Sequence, residues 1–109
     1  MVYFESTIQL EKKETINTSI KFVDAHLHLD MFEDPKKVIN DSLKNNIVYM
    51  LTNSGDKQSI GKNISLCDML HVFAAIGISP DFSNDYFDIE PMLRDNGVIA
   101  IGEIGLDKT

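Results

Sequence analysis

The sequence predicts an α/β protein: about half of a (β/α)8 TIM barrel, with about four parallel strands and helices between them. Three observations carry that expectation. From Phe22 onward, apolar strand-like runs alternate with stretches of helical spacing, the pattern of βα units around a parallel sheet. Successive strand-like runs begin about 25 residues apart, close to the unit length of a barrel built from ~250 residues. The polar clusters fall at the C-terminal ends of those runs, where parallel α/β proteins build their sites. An all-parallel half sheet has open edges, so a partner chain, a closing element or the missing half of the barrel is expected to cover them.

Residues 1–20 stand outside the βα rhythm. Val2, Phe4, Ile8 and Leu10 alternate with Tyr3, Glu5, Thr7 and Gln9, and Ile16, Ile20 and Phe22 resume the alternation after the charged run Glu11 to Glu14. This reads as an amphipathic hairpin that covers one end or edge of the sheet, or docks a partner. The barrel portion is then 21–109.

Strands are expected at 22–29, 47–51, 72–78 and 98–104. Between the first two, Asp34 before Pro35 makes an N-cap and first turn, Val38, Ile39 and Leu43 share a helical face, and Asn45 and Asn46 close it. The next segment places Ile60, Ile64, Cys67 and Leu70 at helix spacing, weakened at Gly61 by about 1 kcal/mol relative to alanine. In the third, DYFDIEPMLRDNG, Pro91 suits a first helical turn and Gly97 a C-terminal stop.

With 43% apolar and 25% charged residues the composition is that of a globular domain. Ten basic residues against 17 acidic ones give a formal net charge of −7, which argues against broad electrostatic capture of a polyanion. Nucleic-acid contact would need a metal or a local basic patch. Cys67 is the single cysteine, so no intrachain disulfide forms and a reducing compartment is the natural expectation. No apolar run approaches the roughly 20 residues of a membrane helix. The first residues lack a basic segment followed by a continuous apolar one, so a cytoplasmic location without a membrane partner is expected.

The stretch FVDAHLHLD at 22–30 spaces two histidines and two aspartates at two-residue intervals. Strict strand alternation would put Asp24, His26, His28 and Asp30 on one face and Val23, Ala25, Leu27 and Leu29 on the other. The apolar set would pack outward against helices. The polar set, turned inward, would need partners or a cation, since unpaired buried charge is costly. Two imidazoles at i and i+2 can chelate one divalent metal, with flanking carboxylates as further ligands or as groups that orient the ligands. A single histidine on such a strand would more simply be a hydrogen-bonded core residue.

In IGEIGLD at 101–107, alternation sets Glu103 opposite Gly102 and Ile104, and the flanking glycines admit close approach of backbone or ligand. Alone, Glu103 could be a solvated strand-end carboxylate. Beside an H-x-H strand it is a further ligand, able to bridge two ions. Thr52, Asn53, Ser79 and Asp81 sit at the same rim, each individually ordinary turn chemistry. His71 reads as surface structure and Cys67 as a small buried hydrophobe.

FVDAHLHLD together with AIGEIGLD, three βα units apart, resembles the TatD family of metal-dependent hydrolases in the amidohydrolase superfamily. The resemblance covers roughly 22–107, the N-terminal half of the barrel such a family implies. It implies a phosphodiesterase, typically a deoxyribonuclease, with one or two divalent ions (Zn, Mn or Mg) at the C-terminal mouth and DNA or another phosphodiester as substrate. Carried over by motif, His26 and His28 bind one ion and Glu103 contacts or bridges the pair. Asp24, Asp30, Asn53, Ser79, Asp81 and Asp107 are the expected supporting or substrate-contacting groups.

Two departures from the family pattern stand out. Its G-[IV]-H-P-H turn is here Gly77-Ile78-Ser79-Pro80-Asp81, lacking both histidines and putting a carboxylate where a phosphate would be repelled. Two more histidines and an aspartate are expected from a second half outside these 109 residues, together with the catalytic base, so the chain alone is expected to be weakly active or inactive. Two other readings remain open: a half barrel that serves as an interaction or assembly module, and a hydrolase of another superfamily branch acting on amides or lactones.

Overall fold

A computed structural model describes residues 20–78 and 87–104. The expected N-terminal hairpin, Ser79, Asp81 and Asp107 lie outside the described residues. Those described form one sheet in the order β1 (Phe22–Leu27), β2 (Ile47–Ser54), β3 (Val72–Ile76), β4 (Val98–Ile101), with every neighbouring pair parallel. Sequence order and spatial order coincide, as in successive units of a barrel wall.

The first connection is α1 (Pro35–Lys44). The Asp34 carboxylate accepts from the Lys37 backbone N–H at 3.1 Å, Pro35 occupies the first turn, and Asn46 at φ 64° reverses the chain into β2. Val38, Ile39 and Leu43 pack on a core of Phe22, Leu29, Ile47, Met50 and Val72. The second connection is α2 (Lys57–Leu66), opened by a capping box in which Asp56 accepts from the Ser59 N–H at 2.8 Å and Ser59 Oγ accepts in return from the Asp56 N–H. Ile60 and Ile64 pack with Ala74 and Ile76.

Several boundaries differ from expectation. β1 ends at Leu27 because Leu29–Met31 turns into a short 3-10 helix, which drops Leu29 into the helix-side core with no solvent exposure. β2 runs three residues past Leu51, so Thr52 and Asn53 belong to the strand. β3 and β4 stop at Ile76 and Ile101. α2 ends at Leu66, where Cys67 turns extended, leaving Leu70 exposed. The third connection contains a five-residue 3-10 turn, Glu90–Arg94, in place of an α-helix, with Met92 N–H bonded to the Ile89 carbonyl at 2.9 Å. Gly97 is required for space, not for a left-handed stop: a Cβ there would lie 2.6 Å from Cys67 Cβ, and no described glycine has positive φ.

The largest correction concerns the faces of β1. Phe22 and Asp24 are buried, whereas Val23, Ala25 and His26 are exposed. Asp24 pairs with Met50 and Leu27 with Thr52, so Ala25 and His26 together oppose Leu51 in a bulge. One extra residue reverses the parity of everything beyond it. Phe22, Leu27 and Leu29 therefore pack toward the helices, and Val23 and Ala25 line a groove with Tyr49, Leu51, Phe73 and Ile99 on the opposite face. Helices cover one face of the sheet; this second, apolar face is open, with Val23, Tyr49 and Ile99 40%, 51% and 61% exposed.

Candidate metal centre

Beyond the bulge the ends of β1 and β4 converge. The Gly102 N–H donates to the Ile76 carbonyl at 2.9 Å, extending the β3–β4 pairing one residue past the strand and delivering Glu103 to the rim. There Glu103 Oε2 lies 3.2 Å from His26 Nε2 and 3.6 Å from His28 Nε2. The two imidazoles meet edge to face, with ring centroids 5.1 Å apart.

His28 is oriented by its other nitrogen. Nδ1 lies 2.9 Å from the Asn53 carbonyl oxygen, an acceptor only, so Nδ1 carries a proton and Nε2 is the nitrogen turned toward Glu103. A lone pair facing a carboxylate oxygen is unfavourable unless a proton or a cation stands between them.

The spacing fits a cation. Tetrahedral zinc with bonds of about 2.0–2.1 Å sets its ligand atoms roughly 3.3 Å apart, against the 3.2 and 3.6 Å found here. All three ligand atoms lie within 4.8 Å of one another. The His26 side chain is 54% exposed, leaving one side of the cluster open.

The other expected residues take the following places. Asp24 is buried, and its Oδ1 accepts from the His26 backbone N–H at 3.3 Å, bracing the bulge. Asp30 reaches back toward α2, where its Oδ1 accepts from Asn63 Nδ2 at 2.9 Å. Asn53 contributes through its carbonyl; its side-chain amide donates to the Leu51 carbonyl at 2.9 Å. His71 is held at the other end of the sheet, its Nδ1 2.8 Å from the Val48 carbonyl. Cys67 is half buried, and burial first, then the charges of Asp95 and Asp68, push its thiol up to about 11.

The residue that periodicity missed is Asn63. It has no solvent exposure and joins α2 to both strand ends beside the cluster. Its polarity at a buried helical position was a visible signal, but nothing in the spacing named its partners.

Fold and site together define part of a (β/α) barrel with an imidazole and carboxylate cluster at the C-terminal strand ends. The family model for TatD related DNase matches residues 23–109, and the chain belongs to that family. The family is one of hydrolases and is typically metal-dependent, in keeping with the donor set at the rim. Comparison with curated proteins gave no match. No helix among the described residues is long and apolar enough to cross a membrane.

Proposed function

We propose that this chain supplies the first metal-ligating half of a TatD-type phosphodiesterase acting on DNA, with His26, His28 and Glu103 holding a divalent ion. The observation that carries this reading is the convergence of two imidazole Nε2 atoms on one carboxylate oxygen at ligand-to-ligand distances. Zn²⁺ and Mn²⁺ suit the mixed nitrogen and oxygen donors better than Mg²⁺ does. When bound, such an ion supplies the Lewis acidity that activates water and offsets charge on a phosphoryl oxygen. His28 is oriented for that task by the Asn53 carbonyl, and Glu103 would hold the ion through the carboxylate oxygen that faces both imidazoles.

The net charge of −7 means that a polyanion is drawn here only through the cation. The open apolar face supports completion of the barrel by further βα units, in this polypeptide or another, because in a closed barrel those side chains form the interior. The same face favours a second reading, in which the half barrel acts chiefly in assembly. With Cys67 as the single thiol, the reducing cytoplasm suits the chain.

Calorimetric titration of metal-free protein with Zn²⁺ and Mn²⁺, beside a His26→Ala/His28→Ala variant of unchanged circular dichroism, tests the site. Binding by the parent and its loss in the variant is expected. A folded parent that binds neither ion overturns the metal reading. Assays on single- and double-stranded DNA ends then separate nuclease from assembly module, which would show concentration-dependent association without hydrolysis.

A further inference from the structure

We infer that Asn63, on the second helix, is the positioning residue of the His28 ligand, fixing both its backbone and its ring from a single buried side chain. The inference rests on the metal reading above only for its consequence, not for its geometry.

The Asn63 amide is filled to capacity. Oδ1 accepts from Thr52 Oγ1–H at 2.7 Å and from the Asp30 N–H at 3.1 Å; Nδ2 donates to Asp30 Oδ1 at 2.9 Å and to the Asn53 carbonyl at 3.2 Å. Two lone pairs and two N–H groups are all that an amide offers, and every one is used. Exchanging its oxygen and nitrogen would set donor against donor at the Asp30 N–H, so the orientation is unique. Thr52 is likewise committed, its Oγ1 accepting from the Leu29 N–H at 3.0 Å while donating to Asn63.

Each bond bears on His28. Leu29 and Asp30 are its next two residues, and their N–H groups are held to Thr52 and Asn63, which fixes where the chain leaves β1. The Asn53 carbonyl that receives Nδ1 also receives Asn63 Nδ2, which fixes the acceptor and, by polarising it, strengthens the bond to the ring. Backbone and ring acceptor of one ligand thus share a single anchor, an amide with no solvent exposure. Lys62, the preceding residue, adds a bond from Nζ to the Asp30 carbonyl at 2.9 Å, tying the same turn to α2 at its exposed edge.

The test compares Asn63→Leu, similar in volume and without hydrogen-bonding groups, with Ile60→Ala, which destabilises the same helix but touches none of these groups. The first readout is the histidine ¹⁵N spectrum of metal-free protein at fixed pH, which reports the tautomer of His28. Parent and Ile60→Ala should show His28 Nδ1 protonated throughout, and Asn63→Leu a fraction of rings with Nδ1 bare. The second is Zn²⁺ titration, where Asn63→Leu should lose 10-fold to 100-fold in affinity, the range for groups that orient a ligand, with Ile60→Ala within about 2-fold of the parent.

Should Asn63→Leu fail to fold, Thr52→Val, which removes the hydroxyl under Asn63 Oδ1, is read by the same two measurements. An unchanged His28 tautomer in the folded variant overturns the inference. If the parent binds no Zn²⁺ the metal reading falls, while the tautomer comparison still decides the role of Asn63.

Discussion

Gly77 lies directly against the backbone of Glu103: a methyl group at Gly77 would clash with the Glu103 carbonyl oxygen and stand 2.6 Å from Ile104 Cγ2. The obstacle is space, since the backbone of Gly77 is one any residue adopts. Alanine there must push Glu103 away from the histidines. Gly77→Ala is expected to lower Zn²⁺ affinity at least 10-fold, about 1.4 kcal/mol, while His28 keeps its Nδ1–H tautomer. Calorimetry and the histidine ¹⁵N spectrum check the two halves; unchanged affinity would show that the Glu103 carboxylate is not a ligand.

Asp68 organises the turn into β3 and gives stability an acid limb. Burial is the largest single influence and raises its carboxyl, but the N–H donors of Val72, His71 and Leu70 at 2.8, 2.7 and 2.9 Å, with the charge of His71, together outweigh it and hold the group below 3.8. A carboxyl lowered by folding stabilises fully above its unfolded value, and the contribution is lost as pH falls through the folded one. Asp68→Ala should cost about 1 kcal/mol at pH 6, modest because the group is solvent-exposed. The urea midpoints of parent and variant should approach each other as the pH falls below 3.8.

Cys67 should be slow to alkylate. With its thiol raised from 9.0 to about 11, the thiolate fraction near pH 8 is about 100-fold below that of the unfolded chain. Iodoacetamide labelling with and without urea measures the ratio. A native rate within 5-fold of the unfolded one would mean that the pocket formed by Gly97 and the α2 terminus opens readily.

The second helix offers two opposite changes. Gly61 is exposed and a Cβ there meets nothing within 4 Å, so Gly61→Ala should stabilise by roughly 0.5–1 kcal/mol. Asp56→Ala removes the capping box and should cost about 1 kcal/mol. Urea unfolding reads both; equal midpoints for the two variants would refute the local account.

The order of elements was legible because it rests on local patterns. Asp34 before Pro35, the apolar spacing of Val38, Ile39 and Leu43, and the regular recurrence of strand-like runs are visible along the chain and reappear in the fold. Boundaries shifted where tertiary contacts won. β2 extends to Ser54 because β3 continues to pair with it, Asn53 with Ala75 and Ser54 with Ile76. The third helix is replaced by a 3-10 turn, which still packs Met92 and Leu93 against Ile60, Ala74 and Ile76.

By itself, the sequence determined the parallel βα architecture and the identity of His26, His28 and Glu103 as the residues that could meet, because residue type and short-range period suffice for both. Only the tertiary structure decided that Asp24 is buried and braces the β1 bulge, that Val23, Tyr49 and Ile99 form an open apolar face, and that Asn63 anchors His28. In each case the pairing of segments distant in sequence decides. The bulge at Ala25 and His26 changes the face of the β1 residues beyond it, the open face is assembled from three strands, and a hydrogen bond between Asn63 and Asp30 joins positions whose separation no helical or strand period encodes.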